Sequence, residues 1–170
     1  EVTELGSSFV PNTGSGALNE SRVLESDLQL VSSILSQVNI DNGQTYNPGA
    51  YEGFTYDANS TKGLFKLDWN INENHRLAFV YNFLTASKEK PAHPTALGFR
   101  GPNATTLQFE NAGYQINNNI NSFLVELIST FNEETSNKLQ VGYTHFDDFR
   151  SPLSSPAPSI TILNGGSNYI

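Results

Sequence analysis

The strongest constraint on the fold is an alternation of apolar and polar residues that runs through four segments of the chain. From Phe65 onward every second residue is apolar, and the alternation resumes after the short polar stretch 72–75. It recurs on both sides of residues 133–136. A period of two places successive side chains on opposite faces of a β-strand. We therefore predict two antiparallel β-hairpins, in residues 61–87 and 121–150, each closed by a short turn.

The alternating apolar residues of each hairpin share one face. They are Phe65, Leu67, Trp69, Ile71, Leu77, Phe79, Tyr81, Phe83, Phe123, Val125, Leu127, Phe131, Leu139, Val141 and Tyr143. Four further apolar residues, Leu64, Leu84, Leu124 and Ile128, interrupt the alternation. The pattern alone fits both a soluble sheet with one face on a core and a sheet with one face in lipid.

The segments outside the hairpins are rich in Gly, Pro, Ser and Asn. Residues 1–60, 88–120 and 151–170 are therefore predicted to be loops. Within the first of them, apolar residues recur at spacings of three and four, which predicts one helix over residues 21–38, with Ser21 as its N-cap. These apolar residues are Val23, Leu24, Leu28, Val31, Leu35 and Val38.

Composition and charge exclude several classes of function. Nine basic residues stand against seventeen acidic ones, for a net charge of −8, and no basic cluster could contact a phosphate backbone. No nucleic-acid partner is therefore expected. The chain has no Cys, which excludes disulfides and Cys-bound metal. It has no apolar window long enough for a transmembrane helix, no signal-peptide pattern and no Met. We expect an internal piece of a longer polypeptide.

Strand length and loop asymmetry favour a sheet in a membrane. Each predicted strand has about ten to thirteen residues, whereas a tilted strand needs roughly 9–11 to cross a bilayer and soluble strands have about five or six. The connections alternate between short and long, as in outer-membrane barrels. Three aromatic residues near the short turns, Trp69, Phe79 and Phe131, are expected at a membrane interface. The predicted fold class is all-β, a segment of an antiparallel transmembrane β-barrel with long extracellular loops and one short loop helix.

A family resemblance adds to this pattern. The phrase KLDWNINENHRLAFVYNF, in residues 66–83, has the form K-x-D-W-x-I-x-x-x-H-x-L followed by an aromatic-rich strand. It resembles the barrel of TonB-dependent outer-membrane receptors. Neighbouring phrases, among them SRVLESDLQLVSSIL, PGAYEGF, HPTAL, TTLQFENAGYQINN, NSFLVEL, NKLQVGYTHF and RSPLSSPAPSI, resemble the Oar-like branch of these receptors. The resemblance covers most of residues 21–160. The TonB box, the plug domain and the carboxypeptidase-regulatory-like domain of that branch have no counterpart in the chain.

The resemblance implies a location and a function for the parent protein. It would lie in the outer membrane of a Gram-negative bacterium, in contact with lipid, with its long loops outside the cell. There it would bind a ligand and import it with energy from the TonB complex, which other parts of the parent chain would contact. Other cell-envelope proteins are further expected partners, and the ligand is not specified by these residues. The alternative is a soluble or surface-exposed all-β adhesion or interaction module that binds protein or glycan through the same loops.

The sequence offers candidate ligand contacts but no catalytic motif. Loop 88–120 carries Phe99, Arg100, Phe109 and Tyr114, side chains of the type that dominate recognition surfaces. The competing interpretation is that these residues pack the loop against its neighbours. His145, Asp147 and Asp148 resemble a metal-binding set, but Asp148 should point away from the other two in a strand, so no metal and no cofactor is expected. We find no nucleophile, phosphate-loop or paired-carboxylate motif and expect no enzyme activity.

Overall fold

The structure is a computed structural model, which describes residues 2–5, 9–40, 43–92, 101–155 and 160–162. These residues are mostly β-strand, with one α-helix, in agreement with the all-β prediction. The short strands are β1 (Val2–Leu5), β2 (Val10–Asn12), β3 (Glu20–Leu24), β4 (Asn39–Ile40) and β5 (Gln44–Thr45). The long strands are β6 (Thr55–Asn72), β7 (His75–Lys90), β8 (Tyr114–Asn132) and β9 (Thr135–Pro152), and the helix is α1 (Glu25–Leu35).

The four long strands form the two predicted hairpins. They lie in one sheet in the order β1-β6-β7-β8-β9, so chain neighbours are also sheet neighbours. Each hairpin turn has an asparagine at its start: Asn72 Oδ1 accepts the backbone N–H of Asn74 at 2.9 Å, and Asn132 Oδ1 accepts that of Glu134 at 3.0 Å. This is the local side-chain bond that favours Asn in tight turns. Within the described residues the sheet is not closed, since β1 and β9 form its two edges.

All four long strands extend beyond the predicted bounds of the hairpins. Strand β6 begins at Thr55 and β7 ends at Lys90, while β8 begins at Tyr114 and β9 ends at Pro152. The ends of the predicted loops 1–60, 88–120 and 151–170 are therefore strand. The extra residues are mostly polar and do not alternate, so their strand character depends on pairing, for example of β1 with the first residues of β6, and leaves no periodic signal in the sequence.

The predicted helix 21–38 is shorter than expected. Residues 20–24 form β3, which pairs in parallel with β2, and α1 begins only at Glu25. Ser21 is therefore not the N-cap. Its side chain is buried, and its Oγ accepts the backbone N–H of Val23 at 3.1 Å. The predicted helix begins too early because the apolar Val23 fits the residue spacing of a helix as well as that of a strand. Among the described residues, no helix is long and apolar enough to span a membrane.

The chain divides into two compact units. The first contains residues 1–58, 88–116 and 150–170, and the second contains residues 59–87 and 117–149. In the first unit, β3, α1 and the segment before β8 enclose a small core of Val23, Leu28, Leu107 and Phe109. The second unit consists of the middle parts of the four long strands and their two short turns.

A single carboxylate organises the loop between β2 and β3. Glu20 accepts the backbone N–H and the hydroxyl of Thr13, at 3.1 and 2.8 Å, and the same two groups of Ser15, at 3.1 and 2.8 Å. The backbone N–H of Gly16 donates to its second oxygen at 3.0 Å. These hydrogen bonds, first from the Thr13 and then from the Ser15 side chain, lower the pKa of Glu20 to about 2. Several donors on one carboxylate favour its ionised form.

We expect this loop to lose its order in acid. The pKa of Glu20 is lower in the folded chain than its ordinary value of 4.5. Its contribution to stability is therefore complete above pH 4.5 and falls as the pH approaches 2. Amide hydrogen exchange at Ser15 and Gly16, whose amides donate to Glu20, should show the loss when measured between pH 5 and about 2 and corrected for intrinsic rates. In a Glu20→Gln variant the corrected exchange should not change over this window. If the corrected exchange of the unsubstituted protein also stays constant over this pH range, the assignment is contradicted.

Candidate functional site: a sheet with one apolar and one charged face

In the part of the second unit nearer the short turns, one face of the sheet consists mostly of apolar side chains. Ring contacts establish that the alternating apolar residues lie on the same side: Phe65 and Phe79 are 6.4 Å apart, and Phe123 and Tyr143 are 5.7 Å apart. Near the short turns, His75 and Phe131 rings are 6.3 Å apart. We call this surface the apolar face. It consists of Phe65, Leu67, Trp69, Ile71, Leu77, Phe79, Tyr81, Phe83, Phe123, Val125, Leu127, Phe131, Leu139, Val141 and Tyr143.

Most of the apolar face is uncovered within the described part of the chain. Trp69 is 56% exposed, Phe131 63% and Val141 58%. Each of the four long strands contributes at least one exposed side chain to this face, with Phe83 as the contribution of β7. A soluble monomer rarely exposes an apolar patch larger than a few hundred Å². A surface of this kind therefore has to be covered by lipid or by protein.

The opposite face carries ion pairs. Asp68 binds Lys66 at 2.9 Å and Arg76 at 3.0 Å, and Glu126 binds Lys138 at 2.7 Å. Gln140 also donates to Glu126. Because these residues come from all four strands, positive and negative side chains alternate across the sheet. We call this surface the charged face. Exposed pairs of this kind contribute little to stability, so their main effect is to make the face hydrophilic.

Two of the residues that interrupt the alternation lie together on the charged face. A shallow cavity of about 220 Å³ has Ala78, Val80, Leu124 and Ile128 in its lining, together with side chains of the two charge clusters. Leu124 and Ile128 are therefore placed among the ion pairs and not on the apolar face. The alternation is interrupted because the charged face contains this small apolar region.

An aromatic row crosses the apolar face at the end remote from the short turns. Tyr81 stacks on Phe83 at 6.2 Å, and Phe123 contacts Tyr143 on the next strand. The hydroxyl of Tyr81 donates to Asn121 Oδ1 at 2.7 Å. We call Phe65, Tyr81, Phe83, Phe123 and Tyr143 the aromatic row.

The aromatic row changes part of the sequence prediction. Trp69 and Phe131 lie near the short turns as expected, but Phe79 does not belong with them, because its ring contacts Phe65 of the aromatic row. The sequence reasoning missed the row because it considered each strand separately. Counting residues outward from the two short turns would have brought Phe65, Tyr81, Phe123 and Tyr143 to similar heights.

We expect Gly63→Ala to destabilise the second unit. A Cβ at Gly63 would lie closer to Cε1 of Phe83 than real Cβ atoms approach. The Phe83 ring must then move away from the strand, at a cost of about 1–3 kcal/mol typical of overpacking. Denaturant unfolding of the protein measures this loss. Gly142→Ala is the matched control, since its Cβ meets Leu124 at 3.3 Å. In the background of Phe83→Leu the effect of Gly63→Ala should shrink, and an unchanged effect would contradict the contact.

Two of the predicted ligand contacts of loop 88–120, Phe109 and Tyr114, lie within the described residues. Phe109 is only 7% exposed and lies in the core of the first unit. Tyr114 is half-buried, with the Arg150 guanidinium 5.7 Å above its ring. Phe99 and Arg100 lie outside the described residues. For Phe109 the structure favours the packing interpretation. Among the described residues, no group of three His, Asp or Glu side chains is placed to hold a metal ion, and His145, Asp147 and Asp148 are no exception.

The first unit also contains a buried polar cluster that the sequence did not indicate. Gln108 donates to the Tyr56 hydroxyl at 2.8 Å, and burial raises the pKa of Tyr56 to about 12. Within the described residues, Gln108 Oε1 and the hydroxyl of Thr106 have no partner. The phenol therefore stays neutral and ties the segment before β8 to the start of β6. This role is structural.

Comparisons with protein-family models, with curated proteins and with solved structures found no match for this chain.

Proposed function

We propose that the four long strands are part of the wall of an outer-membrane β-barrel, and that the chain belongs to a TonB-dependent transporter or receptor. In this proposal the parent protein binds a ligand at the cell surface and imports it with energy supplied through TonB. The observation that carries the barrel is the uncovered apolar face, which lies opposite a charged face in one sheet. Outer-membrane barrels have this two-sided structure, with an apolar exterior and a polar interior.

The charged face supports an assignment of the two sides of the wall, with this face toward the interior of the barrel. Asp68 and Glu126 lie inside their strands, between residues that belong to the apolar face, and an ionised group on the lipid side there would cost several kcal/mol. They are tolerable in a polar interior. The apolar face would then form the outside of the wall, in contact with acyl chains.

The dimensions of the apolar face fit a membrane. From Phe123 to Phe131, β8 rises about 27 Å along its own axis. At the usual strand tilt this corresponds to a height of about 20 Å, close to the roughly 25 Å apolar band of outer-membrane barrels. The strands are longer than the band, with 16 to 19 residues each. Their polar ends would project beyond the membrane on the side of the long connections.

The open edges of the sheet require further strands. In lipid, each unpaired backbone N–H or C=O costs several kcal/mol. Strand β9 forms one edge over its full length, and β6 is paired with β1 only over Thr55–Ala58. The proposal therefore includes additional strands that complete a barrel around these four.

The TonB-dependent part of the proposal rests on the resemblance of residues 66–83 and their neighbouring phrases to that receptor family. It places the long connections outside the cell, where ligand and other envelope proteins would bind. If it is correct, uptake of the ligand by the parent protein requires a functional TonB complex. Uptake that persists without TonB would contradict the proposed energised transport but would not contradict the proposed barrel.

A cysteine scan of β9 tests the barrel directly, because the chain contains no Cys of its own. Single cysteines at positions 138 to 144 of the full protein in vesicles would carry a spin label. Oxygen, which concentrates in lipid, should increase the spin relaxation rate of labels at Leu139, Val141 and Tyr143. A water-soluble nickel complex should increase the spin relaxation rate of labels at Lys138 and Gln140.

The outcome separates the two proposed classes of protein. Alternating accessibility with a period of two supports the membrane wall. Uniform access of the nickel complex to both faces, together with a protein that fractionates away from membranes, would favour the soluble or surface-exposed β-module instead.

A further inference from the structure

The apolar face ends sharply beyond the aromatic row and is replaced by polar side chains on the same side of the sheet. Parity along each strand establishes the side: a Cβ at Gly63 would touch Phe83, and Tyr81 bonds Asn121, so odd-numbered residues continue the apolar face. We call the next polar positions the headgroup belt. It consists of Thr61, Thr85, Asn119, Asn121, His145 and Asp147.

The headgroup belt has an unusual charge character for a surface next to a membrane. Its side chains are two amides, two hydroxyls, one imidazole and one carboxylate, and it contains no Lys or Arg. Its single carboxylate, Asp147, would repel an anion. A belt for phosphate-rich lipid should contain basic residues, because they pair with phosphate oxygens. Amide and hydroxyl groups, which both donate and accept, match the hydroxyls of a sugar.

Because the headgroup belt adjoins the apolar face, a sugar bound there would belong to the headgroup of a lipid. The belt lies one or two alternate residues beyond the aromatic row, at a height of about 7 Å along the strands. Aromatic side chains mark the level at which acyl chains give way to headgroups. The short-turn end is different, since its turns carry the exposed acids Glu73, Glu133 and Glu134.

We infer that the headgroup belt binds the uncharged sugar headgroups of glycolipids in the membrane leaflet on the side of the long connections. The inference rests on the proposed function, because it requires the apolar face to lie in lipid. It adds a lipid preference to that proposal: the protein selects neutral glycolipid over anionic phospholipid at this level.

The test uses the full protein reconstituted in phosphatidylethanolamine vesicles that contain equal amounts of diglucosyl-diacylglycerol and phosphatidylglycerol. Lipids that remain with the protein after mild extraction are counted by mass spectrometry. The native protein should retain the glycolipid in excess over phosphatidylglycerol. Replacing Thr61→Val and Thr85→Val together removes two hydroxyls without changing side-chain shape, and should reduce the excess about two- to tenfold, the range expected for one or two hydrogen bonds.

The matched control is Thr130→Val, an exposed threonine on the charged face, which should leave the excess unchanged. Equal retention of both lipids by the native protein would overturn the inference, and so would an excess that the double variant preserves. Vesicle flotation is measured first on the same samples. A protein that does not float with vesicles overturns the proposed function and this inference together, whereas flotation without glycolipid excess overturns the inference alone.

Discussion

Val141→Arg is expected to lower the free energy of unfolding in the membrane by about 2–4 kcal/mol, while Gln140→Arg changes it by less than about 0.5 kcal/mol. The two residues are neighbours in β9 and both are exposed in the sheet. They differ only in the face that they occupy. A large difference between them therefore shows that the apolar face is covered, and does not reflect the propensity of arginine for a strand.

The physical reason lies in the surroundings of each side chain. Val141 is 58% exposed and belongs to the apolar face, and in the proposed barrel wall an arginine there would have to enter the hydrocarbon region or distort the bilayer. Gln140 donates to Glu126 on the charged face, and an arginine there can donate to the same carboxylate. If the apolar face were in water, both substitutions would be nearly neutral. If protein covered it, Val141→Arg would be costly in a protein that fractionates away from membranes.

The measurement is urea unfolding of the full protein in vesicles. The folded fraction is read from the difference in gel mobility between unheated and heated samples. Equal losses for the two variants would contradict a membrane on one side of the sheet. A loss at Gln140 greater than that at Val141 would reverse the assignment of the faces.

The sequence predicted the hairpins because their signal is local. Alternation around Asn72 and Asn132 specifies strand, turn and face together, and the observed turns begin at these residues. The strand ends carry no such signal. Residues 55–60 and 114–120 are mostly polar and do not alternate. Strand β6 begins there through its pairing with β1, a partner fifty or more residues away in the chain.

The errors of the site prediction have the same origin. Phe109 looked like a recognition residue because it lies in a long irregular segment with Pro and Gly. Its environment is created by Val23 and Leu28, which come from a distant part of the chain. Helical spacing likewise carried the helix back over β3, because nothing local reveals that Val23 pairs in a strand and enters a core. Non-local contacts decide both cases, and a single sequence does not display them.

Phe109→Ala should destabilise the first unit by about 3–5 kcal/mol, the usual cost of emptying a buried phenylalanine site. The ring lies against Val23, Leu28 and Leu107 and meets Tyr51 edge-on at 5.9 Å. Its removal leaves a cavity under α1 and β3, so their amide protons should exchange faster. Leu18→Ala is the control, because Leu18 is fully exposed and should be within about 0.5 kcal/mol of the native protein.

The same variant distinguishes packing from recognition. If Phe109 contacted ligand, Phe109→Ala would abolish ligand uptake while amide exchange in α1 and β3 stayed at the native level. The buried ring predicts the opposite order of effects: faster exchange in residues 20–35 comes first, and any loss of uptake follows in proportion to the unfolded fraction of the first unit. Measuring both quantities over a series of temperatures tests this proportionality. An uptake defect that remains at temperatures where exchange is native would return Phe109 to the binding surface.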